Sequence, residues 1–269
     1  PTVYGVAESI ERGLHVGQQE PPPFQAVART MKRPLSFAQQ RLWLLDQLQP
    51  GSPTYNIAHA FRIGGALNSE ALHRALATIV ECHESLRTVF ASTDKEPVQV
   101  TGDGVALSLP VLDLGEIPRL EREAKVRRLI NEEARRSFNL ADGPLIRVVL
   151  LRLGEGEHIL QLTMHHIVSD GWSMSVLFRE LSTLYEVFSH GQPSPLGGLP
   201  IQYSDYAVWQ RDWLQGPFLE QRLTYWKRRL AAAPAALDLP TDRPRPPIQT
   251  FRGARHPVTL SRDLLKALR

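Results

Sequence analysis

The sequence predicts an α+β fold, a mixed β-sheet covered by helices, and three observations point there. Apolar strand-like runs come as a hairpin-like pair, Leu145 to Leu151 before a Gly154-Glu-Gly156 turn and Ile159 to Met164 after it. Helical stripes of period 3.6 alternate with the strand-like runs. At 269 residues and 42% hydrophobic content, the chain can also bury a full core, and its length allows one or two domains.

In chain order, residues 2 to 14 place Val3, Val6 and Ile10 on one helical stripe that Gly13 closes. Gln18 to Lys32, with Pro21-Pro-Pro23, reads as an extended linker. Ser36 and Gln39 form a capping box, since the hydroxyl can accept the amide three residues on while the amide side chain reaches back. Pro34 keeps that helix from starting earlier, and Pro50-Gly51 stops it after Leu48. Arg41 and Trp43, on the same helix, read as structural residues.

Asn56 to Ile63 alternates Ile57, His59, Phe61 and Ile63 on one face, a strand. A helix capped by Asn68 turns Leu72, Leu76, Ile79 and Val80 inward. Glu84 to Ala91 leads into a strand, and Pro97 to Val100 and Val105 to Leu109 read as two more. From Arg119 to Phe138, Glu121, Glu123, Glu132 and Glu133 interleave with basic residues, the pattern of a solvated helix with i,i+4 pairs. Helices are expected at about 172 to 189, 202 to 214 and 218 to 232. Pro234, Pro240, Pro244, Pro246 and Pro247 make 234 to 250 an irregular crossover. His256 to Leu260 reads as a strand, and Ser261-Arg-Asp263 opens a helix.

Lys plus Arg total 31 against 28 Asp plus Glu, a formal charge of +3. The basic residues are scattered or paired with acids, so nucleic acid is not an expected partner. Cys82 is the only cysteine, which rules out an intrachain disulfide and fits a cytoplasmic compartment. Its apolar-periodic surroundings make it a core filler. No secretory signal and no run of about 18 apolar residues is present, so a membrane is not an expected partner either.

The stretch with chemistry in it is Glu157-His-Ile-Leu-Gln-Leu-Thr-Met-His-His-Ile-Val-Ser-Asp-Gly-Trp-Ser173. An apolar strand runs into two histidines, then a turn with Asp170 and Gly171, then a helix. If the strand continues through the histidines, its period of two puts Ile159, Gln161, Thr163 and His165 on one face and Leu160, Leu162, Met164 and His166 on the other. The two rings then have different jobs. Histidine titrates near neutrality, so it can take a proton from a nucleophile and return it within one turnover. Gly171 lets a substrate approach the backbone closely. A metal site is disfavoured because adjacent strand residues point apart. His59, His73, His83 and His158 read as core or surface histidines.

Met164-His-His-Ile-Val-Ser-Asp-Gly-Trp-Ser173 resembles the active-site motif of condensation domains of non-ribosomal peptide synthetases, in the chloramphenicol acetyltransferase-like superfamily. Ser36-Phe-Ala-Gln-Gln-Arg-Leu-Trp43 is similar to the family's opening motif, His83-Glu-Ser-Leu-Arg-Thr-Val-Phe90 to its second, and Tyr203-Ser-Asp-Tyr-Ala-Val-Trp209 to the one after the active site. The four stand in the family's order. The resemblance implies that 35 to 233 is the N-terminal lobe and 234 to 269 the crossover and the incomplete start of a second lobe. Residues 1 to 14 then look like the last helix of a carrier domain, 15 to 34 are the linker, and the chain is a piece of a longer polypeptide.

The resemblance further implies peptide-bond formation between a donor acyl thioester and an acceptor amine. Both arrive on phosphopantetheine arms of peptidyl carrier domains, with no cofactor bound directly and an adenylation domain nearby in the full chain. By the same resemblance His166 is the catalytic histidine and the Gly171 amide an oxyanion donor. His165, Asp170 and Arg87 support the site, Arg87 by pairing with Asp170. The opening motif looks more like domains taking an L-configured donor. The rival readings are a related epimerisation or acyltransferase domain, and a non-catalytic docking lobe that recruits a partner protein.

Overall fold

A computed structural model describes residues 21–28, 32–93, 96–104, 106–234, 236–237, 239–244, 246–247 and 256–268. The helix expected at 2 to 14 lies outside them. The described chain divides into two units, one running to Thr224 and one starting at Tyr225.

The larger unit is built on two sheets. Strands β2 (Asn56–Gly64), β5 (Val111–Asp113), β6 (Ile146–Gly154) and β7 (Glu157–His165) form a four-stranded sheet in the order β2-β7-β6-β5. The β5–β6 pair is parallel and the others antiparallel, which is the mixed sheet expected. Strands β1 (Lys32–Pro34), β3 (Thr88–Thr93) and β4 (Glu96–Thr101) make a three-stranded antiparallel sheet in the order β1-β4-β3.

The β6–β7 hairpin forms as its sequence indicates. Its Glu155-Gly156 loop needs a left-handed residue, and Gly156 has φ 71°. Successive residues of β7 then face opposite cores. Leu160, Leu162 and Met164 join the main core with Leu72, Leu76 and Ile79 of α2 (Ser69–Cys82) and Leu177, Leu181 and Leu184 of α4 (Gly171–Ser189). Ile159 joins a smaller core with Leu151, Leu153 and Val126, the last on α3 (Arg119–Arg135). Gln161, on that same face, donates its side-chain amide to the Ile130 carbonyl at 2.9 Å, so a buried polar group is satisfied where an apolar residue would be expected.

The local caps form where the sequence places them. Ser36 and Gln39 close the box on α1 (Phe37–Leu48), and Asn68 accepts from the Ala71 amide at 3.0 Å at the start of α2. Helices α5 (Tyr203–Trp213) and α6 (Gly216–Leu230) follow α4. In the second unit Ser261 caps α7 (Arg262–Ala267), accepting from Leu264 at 3.2 Å.

Four expectations are corrected. Residues 106 to 109 are not a strand; the strand lies a little later, at β5, where Val111 and Leu112 align parallel to Leu150 and Leu151. Glu84–Arg87 forms a 3-10 turn before β3 starts. Part of the expected linker is structured, since 32 to 34 pairs with β4 and Phe24 packs on Tyr206 and Trp209 at ring-centroid distances of 6.2 and 5.5 Å. Residues 256 to 260 are extended without a ladder. An apolar alternating run becomes a strand only where a neighbouring edge supplies hydrogen bonds.

Candidate active site

The strand β7 ends at His165, and the turn that follows carries the chemistry. Two backbone bonds pin this corner: the His165 amide donates to the Leu145 carbonyl at 3.0 Å, and the His166 amide to the Tyr55 carbonyl at 2.8 Å. The strand does not continue through both histidines as expected: it stops at His165, and His166 opens the turn. His165 is 3% exposed and His166 is exposed.

His165 is a packing residue. Its ring meets Phe138 edge-on with centroids 6.2 Å apart and lies 6.4 Å from the Tyr55 ring. The Ile167 amide donates to its Nδ1 at 3.1 Å, so Nδ1 is unprotonated and the ring braces the turn. Burial, reinforced by the neighbouring His166, lowers its pKa from 6.5 to about 4, and the ring is neutral at working pH. The sign of the linkage follows. The unfolded chain binds a proton near pH 6.5 that the folded chain refuses until about pH 4, so stability is full above 6.5 and falls between those values. The expected loss is about 3 kcal/mol across that window. Urea unfolding at several pH values checks it, and His165→Phe should flatten the slope.

His166 is held differently. Its Nδ1 lies 2.7 Å from the Ser169 carbonyl oxygen, which can only accept, so the proton sits on Nδ1. The Nε2 lone pair is thereby left available, the tautomer a general base needs. The ring lines a cleft of about 300 Å³ together with Gln39, Arg41, Ser85, Asp170 and Tyr203.

Asp170 is the N-cap of α4. Its carboxylate accepts from the Ser173 hydroxyl at 2.6 Å and the Ser173 amide at 2.8 Å, while its own amide donates to the Ser173 oxygen at 3.2 Å. The Ser173 hydroxyl, then the Ser173 amide, hold its carboxyl below the usual carboxylate range, with a smaller contribution from His166. The expected ion pair with Arg87 is not formed. The Arg87 guanidinium instead donates to the Gly102 carbonyl, with Glu84 at 3.9 Å, and the Gly102 amide returns a bond to the Arg87 carbonyl at 3.1 Å. Asp170 is already committed to its own helix, and Arg87 closes the 3-10 turn onto the end of β4. Arg87→Ala should therefore cost about 1.5–3 kcal/mol of stability, the value of a hydrogen bond to a charged group, as thermal melting would show.

Gly171, the first residue of α4, would meet nothing within 4 Å of an added Cβ, so the space beside its Cα is open. That amide is one of the donors a helix start leaves without an intrahelical partner.

The structure also brings residues to the cleft that periodicity does not assign there. Tyr203, at the start of α5, holds its hydroxyl 3.0 Å from Ser36 Oγ, and burial pushes its phenol pKa up. Arg41, structural by its sequence, lines the cleft from α1. Behind them Arg33 and Asp205 form a buried ion pair of 2.8 Å that ties β1 to α5. For Tyr203, Arg41 and Asp205 the signal in the sequence is membership of the opening and post-active-site motifs.

The family described as the condensation domain matches residues 30–269. The chain belongs to the condensation-domain family. It is 51% identical over 256 residues to one of the linear gramicidin synthase proteins of Brevibacillus parabrevis, covering 94% of this chain and 3% of that protein. It is 45% identical over 236 residues to the phosphinothricin tripeptide synthetase PhsC of Streptomyces viridochromogenes, covering 88% and 22%. The condensation-domain chain thus spans only a small part of these relatives.

Among solved structures, it resembles the X-domain in its complex with OxyB from teicoplanin biosynthesis, with TM-score 0.77 and 32% identity over 88% of this chain and 51% of that one. The starter condensation domain of rhizomide synthetase RzmA, in complex with C8-CoA and Leu-SNAC, gives TM-score 0.68 and 25% identity over 75% and 46%. The fold is therefore the chloramphenicol acetyltransferase-like one, in which strand, turn and helix hold the paired histidines. Among the described residues no helix is long and apolar enough to cross a membrane.

Proposed function

We propose that this chain forms an amide bond between two thioester substrates in the cytoplasm, each carried on the phosphopantetheine arm of a peptidyl carrier domain. The acceptor's amine attacks the donor's carbonyl carbon; the C–N bond forms, the C–S bond breaks, and the donor arm leaves as a thiol. His166 Nε2 takes the proton that the attacking nitrogen loses, and returns it to the departing sulfur. The Gly171 amide donates to the oxyanion of the tetrahedral intermediate. Asp170 fixes the start of α4, which carries Gly171, and His165 braces the corner from behind.

The single observation that carries this reading is the 2.7 Å contact from His166 Nδ1 to the Ser169 carbonyl, which leaves a basic nitrogen at the mouth of the cleft. A single-turnover assay of peptide release, run on matched variants of both histidines, tests it. Only the His166 variant should lose the chemical step while the fold survives.

A second reading is favoured by the likeness to the X-domain, solved in a complex with OxyB. In it, the chain is a docking lobe that recruits a partner protein. The exposed His166 ring, its Nδ1 held by a carbonyl, favours catalysis over docking, and the assay separates the two.

A further inference from the structure

Tyr203 lines the His166 cleft and is 40% exposed, whereas Ser36, its hydrogen-bond partner, is 0% exposed. The proton count decides which of the two hydroxyls donates. Ser36 Oγ accepts from the Gln39 amide at 3.2 Å, and among the described residues the Tyr203 hydroxyl, 3.0 Å away, is the one other group it meets. If Tyr203 donated, the Ser36 proton would be sealed in without an acceptor, and an unsatisfied buried donor is costly. Ser36 is therefore the donor and Tyr203 Oη the acceptor. The phenolic proton then lies away from Ser36, with no partner among the described residues. Burial raises the phenol pKa, against the Ser36 bond that lowers it and with Tyr206 and Asp170 adding to the rise, so the proton stays on oxygen.

The cleft thus offers two free hydrogen-bonding groups of opposite kind. His166 Nε2 presents a lone pair to an amine that loses a proton, and Tyr203 presents a proton to an oxygen that gains charge. When an amine attacks a thioester, that oxygen is the carbonyl's own.

We infer that Tyr203 is a catalytic residue: its phenol donates a hydrogen bond to the donor thioester's carbonyl oxygen and, once the amine has added, to the oxyanion formed there. The inference rests on the condensation reading for the identity of that carbonyl. The proton is shared and not transferred. The carbonyl's π pair moves onto oxygen as the C–N bond forms and returns as the C–S bond breaks, and Tyr203 keeps its proton throughout. It acts alongside the Gly171 amide, and a donor already aimed before the reaction needs no reorganisation during it. Ser36 is a positioning residue, since its own proton fixes which way the phenol's points. Arg41 is the rival donor, because it is exposed, lines the same cleft and carries protons of its own.

Two readouts on the full chain test the inference. Tyr203→Phe keeps the ring and should slow single-turnover peptide release by about 10²–10³-fold, the effect of losing one oxyanion donor, with the half-saturating donor concentration moved only a few-fold. Ser36→Gly breaks the same bond yet keeps the phenol, and glycine caps a helix nearly as well as serine, so its rate should fall only a few-fold. A hydroxyl that merely held α5 to α1 would make the two variants equally slow. Tyr203→Phe also orphans the Ser36 proton, so the double variant Ser36→Gly/Tyr203→Phe guards against a loss of stability and should be as slow as Tyr203→Phe. The second readout needs no turnover. N-acetylalanyl N-acetylcysteamine thioester, isotopically labelled at the thioester carbonyl, is bound to His166→Ala, and difference infrared spectroscopy isolates that carbonyl from the amides. Its stretch should move to higher frequency when Tyr203→Phe is added, and Arg41→Met should leave it in place. Equal slowing by Ser36→Gly and Tyr203→Phe, a band that Tyr203→Phe does not move, a band that only Arg41→Met moves, or no bound band at all overturns the inference. The two claims fail separately: a Tyr203-dependent band with no peptide release by the parent chain sinks the condensation reading alone, and peptide release with an indifferent band sinks the role of Tyr203 alone.

Discussion

Replacing His166 with alanine slows single-turnover peptide release by about 10²–10⁴-fold, the usual contribution of a positioned proton acceptor. The fold should be untouched, within about 0.5 kcal/mol, because the ring is exposed. The magnitude depends on what the ring does. A free α-amine titrates near about 7.7–8.0, so part of the acceptor is already unprotonated close to neutrality, and holding that amine could supply much of the rate. His166→Asn distinguishes the roles, since asparagine keeps a hydrogen-bond acceptor but cannot carry a proton at this pH. If the ring transfers the proton, Asn is as slow as Ala; if it only orients the amine, Asn recovers most of the rate. Turnover equal to the parent in both variants would remove His166 from the mechanism. His165→Ala should give the reverse pattern, a loss of stability from an emptied, ring-lined space, because its ring is buried and neutral.

Much of this was legible because it is local. The caps at Ser36, Asn68 and Ser261 and the Gly156 hairpin each depend on residues within four positions of one another. The strand period indicates only that the two rings part; both faces of β7 are buried, so the exposure of His166 comes from the strand ending at His165. Elements set by distant partners were not legible. The short β5 has no alternation of its own, and it exists because β6 offers a parallel edge. Likewise β1 looks like linker until β4 pairs with it. The Arg87–Asp170 pair fails for a local reason that the resemblance hid. An aspartate at a helix start is drawn to its own backbone amides, and Ser173 completes the box.

The largest expected loss of stability comes from a pair that no periodicity announces. Arg33 and Asp205 lie 172 residues apart, with side chains 5% and 0% exposed. Around them nearly every polar atom has a partner: Arg33 also donates to Ser204 Oγ at 2.8 Å and the Ala28 carbonyl at 2.7 Å, and Asp205 accepts from the Gln202 amide at 2.8 Å and the Val27 amide at 3.1 Å. Two charges taken out of water are expensive, and mutual attraction offsets that cost only while both are present. Asp205→Ala leaves a buried guanidinium without its countercharge and two amides without their acceptor, so unfolding free energy should drop by about 3–5 kcal/mol. Arg33→Met with Asp205→Leu removes both charges together and should recover a good part of that loss. Urea unfolding of the single and double variants decides the point, since a double variant as unstable as the sum of two singles would show that the charges do not depend on each other. The cleft should report the same event. The pair ties β1 to α5, and α5 begins at Tyr203, whose hydroxyl meets Ser36 beside His166. Asp205→Ala should therefore slow peptide release even in the fraction that remains folded, by misplacing the cleft wall, with His166 chemically intact.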